Sequence, residues 1–314
     1  MGYPDIVTDR VAIFAPSPQL TVTVEEVDGR PDVHLHAGGQ GFWQARMITA
    51  LGSPVTLVSA FGGETGQVLR HLVQGPDIEL RAREVSARNG AYVHDRRDGD
   101  RETVAEMMPD SLSRHELDDL YELAVVTSLE SGVAVLSGAS LQTEDVVPVD
   151  VYKRLTSDLV SNGCRVVVDL AGARLNAALE GVPTVIKVSH EELLDDGRAK
   201  SDSVAALLRA ARKIADTGVE LVVVSRAAEP ALVVHKGKEF TLTAPLLEPV
   251  DSSGGGDSMT AGIAAGLAQG EDVASALRLG AAAGAINVTR HGLGTGSGES
   301  VRALVERVTL DEVA

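Results

Sequence analysis

Three consecutive glycines, Gly254-Gly255-Gly256, stand directly before Asp257 and a stretch rich in alanine. Glycine loses more backbone freedom on folding than any other residue, so such a run is costly unless the backbone requires it. At a helix start it opens backbone conformations closed to other residues and leaves amide N–H groups unobstructed. Those amides, with the positive end of the helix dipole, make an anion site. A carboxylate in the same turn could then take a proton from a hydroxyl attacking the bound anion. The bland alternative is a glycine-rich loop in which Asp257 caps the helix, a job aspartate does well. The turn lacks the closing Lys-Ser/Thr of a P-loop.

Val250–Ala261, VDSSGGGDSMTA, resembles the carboxy-terminal signature of the ribokinase-like (PfkB family) carbohydrate kinases. In that family a Gly-X-Gly-Asp turn forms the anion hole and its Asp is the base. His36–Gly52, HAGGQGFWQARMITALG, resembles the amino-terminal family segment, where a Gly-Gly-X-Gly turn meets the sugar and a helix follows. The continuation Pro54–Leu57 and Gly62–Gly66 also fits. The resemblance extends over nearly the whole chain and is nearest to the 1-phosphofructokinase, tagatose-6-phosphate kinase and minor 6-phosphofructokinase group.

The resemblance implies one ribokinase-like domain over residues 1–314, a three-layer α/β/α core with a mostly parallel central sheet. A small projecting β-sheet lid, drawn from about 18–37 and 87–109, would close over the sugar and could serve as a homodimer interface. It implies ATP and Mg²⁺ as cofactors and a sugar or phosphosugar as acceptor. Asp257 would be the base, with Gly254, Gly255 and Gly256 as the anion hole. Gln19, Gly38, Gly39, Gln40, Trp43, Arg88 and Ser137 would meet the acceptor. Ser189, Ser225, Asn287, Gly254 and Gly256 would meet the nucleotide, and Glu192 would organise Mg²⁺ through water.

Several positions depart from the family pattern. Ala15-Pro16-Ser17-Pro18-Gln19 replaces Asn-Pro-X-X-Asp, so a neutral amide stands where a carboxylate holds sugar hydroxyls. Gln40 and Trp43 replace a Lys and an Asn, removing a charge and adding a broad apolar face. Trp43 either faces the sugar site or packs beneath it. Arg88 either pairs with a substrate phosphate, which its planar fork suits, or is an exposed strand-end residue. Glu192 either orders a metal shell or is a first-turn helix residue. Ser189 replaces an Asn, and Arg226–Pro230 replaces a Gly-X-X-Gly stretch, bringing Arg226 and Glu229 toward the nucleotide phosphates. The Gly292–Gly298 run follows a helix rather than a strand, so it is no dinucleotide fingerprint; it could border the adenine. His34 and His36 share a strand but lack a third zinc ligand.

The elements that must position these residues follow from hydrophobic period. Val133–Ser137, Arg165–Asp169, Thr184–Val188 and Leu221–Ser225 are short runs apolar on both faces, with helices at 149–162 and 201–217 between them. That is the pattern of parallel βαβ units. Leu20–Glu25, Asp32–His36, Ala91–Asp95 and Arg101–Glu106 instead alternate apolar and polar, predicting a small sheet with one wet face. Turns fall at Asp28–Pro31 and Arg97–Asp100. Helices are expected at 41–51, 64–74, 257–269 and 271–289, a core strand at Val55–Phe61, and a final helix near 300–308.

Bulk properties agree. Hydrophobic residues form 44% of the 314-residue chain and aromatics only 3%, so a large core must be built from Val, Leu, Ile and Ala. A net charge of −17 argues against nucleic-acid binding, which needs a concentrated basic surface. The one cysteine, Cys164, reads as a buried strand residue. No apolar run suits a signal peptide or membrane span, so the expectation is a soluble cytoplasmic protein with no membrane partner. Two rivals stand beside the sugar kinase: a nucleoside or other small-molecule kinase, favoured by Gln19, Gln40 and Trp43, and a non-catalytic sugar- or nucleotide-binding regulator, favoured by Ser189 and the missing glycines.

Overall fold

The computed structural model describes residues 9–98, 102–138 and 146–313. Elements are numbered in chain order. The main sheet contains β1 (Val11–Phe14), β4 (Val55–Phe61), β5 (Ile78–Glu84), β8 (Val133–Ser137), β9 (Arg165–Asp169), β10 (Val185–Ser189) and β11 (Leu221–Arg226). It ends with β12 (Glu229–His235), β13 (Lys238–Thr243) and β14 (Thr309–Glu312), giving the order β14-β13-β12-β11-β10-β9-β8-β1-β4-β5. From β11 to β5 every neighbouring pair is parallel; the three added strands at the β14 edge are antiparallel.

The strand sequences explain this placement. Val135, Val167 and Val223 enter one hydrophobic cluster, while their neighbours Leu136, Val168 and Val224 enter another on the opposite face. A sheet apolar on both faces must be covered twice. The first face is covered by α1 (Gln40–Ala50), α8 (Gly255–Ala268), α9 (Val273–Asn287) and α10 (Gly298–Val305). The second is covered by α3 (Arg114–Ser131), α4 (Val149–Ser161), α5 (Gly172–Leu179) and α7 (Val204–Ala215). Helices α2 (Gly63–Leu72) and α6 (His190–Asp195) follow β4 and β10. Helices α8 and α9 touch through backbone: a Cβ on Gly262 would lie 2.6 Å from the Gly280 Cα. That close approach is why both helices are built from Gly and Ala.

A separate four-stranded sheet has the order β3-β2-β6-β7, from β2 (Gln19–Val27), β3 (Arg30–Gly38), β6 (Ala91–Asp95) and β7 (Glu102–Met107). Its central pair β2–β6 is parallel and the outer pairs antiparallel. Register puts Thr21 opposite His36 and Tyr92, and Thr23 opposite His34. This polar face lines the main cleft. The opposite face carries Val22, Val24, Val33 and Leu35, with Val33 59% and Leu35 49% exposed. The alternation is therefore as the sequence predicts, but it is the polar side that is enclosed. Residues 99–101, the end of one expected turn and the start of one expected strand, lie outside the described residues. The tail differs from expectation: helix α10 is followed by β14, which pairs with β13 and extends the main sheet. Cys164 is buried, its Sγ 3.5 Å from the Ser128 carbonyl oxygen.

Candidate active site

In open α/β sheets ligands gather beyond the carboxyl ends of parallel strands. Here those ends carry Ser137 on β8, Asp169 on β9, Lys187 on β10 and Ser225 on β11. Asp169 is the hub of a buried network. Lys187 Nζ donates to its Oδ1 at 3.1 Å, Gln44 Nε2 to its Oδ2 at 3.0 Å and Thr260 Oγ1 to its Oδ2 at 2.6 Å. Ser137 donates in turn to the Gln44 side-chain oxygen. Asp169 and Lys187 are almost wholly buried, and such a pair holds only when further hydrogen bonds complete it. These bonds fasten α1 and α8 to the strand ends.

Helix α8 begins against this network. Gly254 is its N-cap, with φ 73°, and no side chain caps the end. The amide groups of the first turn are thus left without a side-chain acceptor, the condition for an anion site. A Cβ on Gly256 would lie 2.7 Å from Lys187 Nζ, so a side chain there would push the ammonium aside. The ammonium is therefore held against the glycine turn. Asp257 follows in the same turn and opens on the cleft. Burial, then the negative charge of Asp169, pushes its carboxyl up to about 7, against the opposing pull of Lys187 and a hydrogen bond from Gln40. Burial works to lower the Lys187 ammonium, but Asp169, Asp257 and Glu192 outweigh it and its pKa is raised.

The cleft has a volume of about 840 Å³. Its core wall includes Gln19, Gly38, Gly39, Gln40, Trp43, Asp169, Glu192 and Asp257, and the small sheet supplies Thr21, Thr23, His34, His36 and Tyr92. Gln19 and Gly38 are paired across β2 and β3, so they stand where the small sheet leaves the core. Gln40 accepts from the Gly138 amide at 2.9 Å and also bonds Asp257. Trp43 does both things the sequence left open: it lines the cleft and packs on the core cluster.

A PfkB family carbohydrate kinase model matches residues 10–299. The chain belongs to the PfkB family of carbohydrate kinases. Escherichia coli phosphofructokinase-2 in complex with fructose-6-phosphate is similar, at 25% identity and TM-score 0.78, covering 95% of this chain and 98% of that one. Its tetrameric inhibited form is also 25% identical over the same shares, with TM-score 0.81. Thermotoga maritima ribokinase shares the fold, at 20% identity and TM-score 0.72, covering 94% of this chain and 99% of that one. The mostly parallel central sheet with a small separate sheet is the ribokinase-like architecture.

In this PfkB chain the residues read from the sequence fall into two groups. Gln19, Gly38, Gly39, Gln40, Trp43, Glu192 and Asp257 come together around one cleft. Gly254, Gly255 and Gly256 form the turn behind it. The others lie off the cleft wall, some of them against the glycine turn. Arg88 pairs with Asp110 through Nε and Nη2, at 2.8 and 3.1 Å, outside the cleft wall. Ser137 is buried beneath the wall. Ser189 and Glu192 form a reciprocal cap on α6: the Ser189 amide donates to Glu192 Oε2, and Ser189 Oγ accepts from the Glu192 amide. Ser225 lies near Gly256, and Arg226 donates to the Pro230 carbonyl across the β11–β12 hairpin, where Glu229 is exposed. Asn287 donates to the Ser253 carbonyl at 2.9 Å and accepts from the Thr295 amide, bracing the glycine turn. Gly292 and Leu293 reach the cleft, while a Cβ on Gly294 would lie 2.1 Å from the Trp43 carbonyl oxygen, so this loop packs on α1.

Asp169, Lys187, Gln44 and Thr260 are not among the site residues expected from the sequence, although Lys187 opens the KVSHEE segment that resembles the family's Lys-Pro-Asn-X-X-Glu. The available signal was a charged residue at or near the end of an otherwise apolar parallel strand, in RVVVD and TVIKV.

Proposed function

We propose that this PfkB-family chain transfers the γ-phosphoryl group of ATP to a hydroxyl of a sugar or sugar phosphate, with Asp257 as general base. The observation that carries the reading is the placement of Asp257, a carboxylate pushed up to about 7 beside an uncapped, glycine-lined helix start. A base with that affinity is matched to proton transfer near neutral pH. The amides of the Gly254–Gly256 turn and the Lys187 ammonium would stabilise negative charge on the transferring group, so catalysis comes mainly from positioning and electrostatics.

The site fits a divalent cation held through water and phosphate. Among the described residues no three His, Cys, Asp or Glu side chains are arranged to ligate a metal directly, while Glu192 reaches the cleft. Mg²⁺ prefers oxygen ligands and keeps several waters. Glu192 would hold such a hydrated ion, which when bound neutralises nucleotide phosphate charge.

The small sheet would act as the lid, excluding water that competes as acceptor. Its exposed apolar face, with Val33 and Leu35, supports a second copy of the chain as partner, since contiguous apolar surface marks an interaction site. The single-domain reading and a cytoplasmic setting go with ATP-dependent sugar phosphorylation. A non-catalytic binding role is the second reading, favoured by Ser189 and by Arg226 and Glu229 standing where relatives carry glycines. Asp257→Asn separates the two. Loss of at least ~100-fold in turnover with ligand binding retained supports the base; wild-type turnover removes Asp257 from the mechanism.

A further inference from the structure

We propose that Arg174 binds an anionic group on the acceptor, so that the cleft selects a phosphorylated sugar over its parent sugar. The proposal rests on the sugar-kinase reading and names the acceptor class of the same site.

Arg174 lies in the first turn of α5, the helix that leaves the Asp169 end of β9. It is only 4% exposed, yet it lines the cleft beside Leu170 and Ala171. Its position within the cleft is fixed by two neighbours. A Cβ on Gly138 would stand 3.7 Å from Arg174 Nη1 and 3.6 Å from Gln40 Oε1. Gln40 in turn bonds Asp257. The guanidinium is therefore near the Gln40–Asp257 corner, where an acceptor must lie for Asp257 to reach its hydroxyl. A guanidinium has five donors, so a protein partner leaves capacity for a ligand. Its planar fork matches phosphate oxygens in a bidentate way.

The other cations are less well placed. Arg88 is spent on Asp110 outside the wall. Lys187 is paired with Asp169 behind the glycine turn. Arg46 donates to the Leu293 carbonyl and is exposed. Arg96 is exposed at the end of a small-sheet strand, with its charge felt by Asp251. In a chain of net charge −17, an anionic acceptor needs a local cation, and Arg174 is the buried one on the acceptor side.

The test uses the sole tryptophan, Trp43, as a binding reporter. Full-length wild type, Arg174→Gln, Arg174→Lys and Arg88→Gln are titrated with fructose 6-phosphate and with fructose, without ATP. The expected result is a wild-type preference for the phosphorylated sugar. Arg174→Gln lowers that preference at least about tenfold and Arg174→Lys by less, because an ammonium keeps the charge but loses the fork. Arg88→Gln keeps the wild-type ratio. An unchanged ratio in every folded Arg174 variant, no wild-type preference, or a loss confined to Arg88→Gln overturns the proposal. Turnover with ATP is measured alongside. Anion selection that depends on Arg174 without any product would leave this inference standing and defeat the kinase reading.

Discussion

Replacing Asp257 by Asn removes a charge from the cleft while keeping the side chain's shape and an oxygen for the Gln40 bond. The structure gives this change an unusual signature: lost activity with gained stability. Burial and Asp169 move the carboxyl from 3.8 to about 7. Holding it ionised in the folded chain therefore costs up to about 4 kcal/mol. Because the folded value lies above the unfolded one, the cost is fully present above about pH 7 and fades as pH falls toward 3.8. At pH 8 the variant should melt several degrees above wild type, given roughly 2 °C per kcal/mol for a chain of this size. At pH 5 wild-type Asp257 is mostly protonated when folded, and the advantage should shrink by about half or more. Calorimetric melts of both proteins at the two pH values read this directly. A variant that melts at or below wild type at pH 8 would refute the argument that the site stores an electrostatic cost in Asp257.

Three further expectations follow from the same geometry. For the wild type, kcat/KM should rise with pH up to about 7 and then level, as Asp257 of the free enzyme loses its proton; a flat profile from pH 5 to 9 would count against the base. Gly256→Ala should cut turnover by about 10²-fold or more while leaving the fold intact, since its Cβ would meet Lys187 Nζ at 2.7 Å; wild-type turnover would show that the close approach does not matter. Leu35→Glu should convert a dimer to monomers by light scattering, because it places a charge on the exposed apolar face of the small sheet. A monomeric wild type would sink the lid interface.

Much of the fold could be read from residues alone. Strands β4, β6, β8 and β9 match the expected bounds residue for residue, because short apolar or alternating runs between turn residues have few other uses. The elements that escaped were less distinctive. Strand β13 carries Lys238, Glu239 and two threonines that blur its pattern, and β14 is a four-residue strand, TLDE, recognisable only once β13 is beside it; β12 does hold a buried apolar run, Ala231–Val234, that went unassigned. The glycine turn stood out because three glycines at a helix start have an evident cost. Asp169 and Lys187 did not, because each looks like an ordinary strand residue until parallel pairing sets Lys187 opposite Asp169. Arg88 shows the converse: its type suits phosphate, but Asp110, distant in sequence, already satisfies it.

The central claim is phosphoryl transfer to a sugar hydroxyl, and direct detection of product tests it most plainly. Wild-type protein is incubated with ATP, Mg²⁺ and a panel of sugars, sugar phosphates and nucleosides, and the products are followed by phosphorus NMR. The account predicts a new sugar phosphoester formed in step with ADP, and none from Asp257→Asn on the same timescale. Saturable sugar or nucleotide binding with no phosphoester from any acceptor would contradict it.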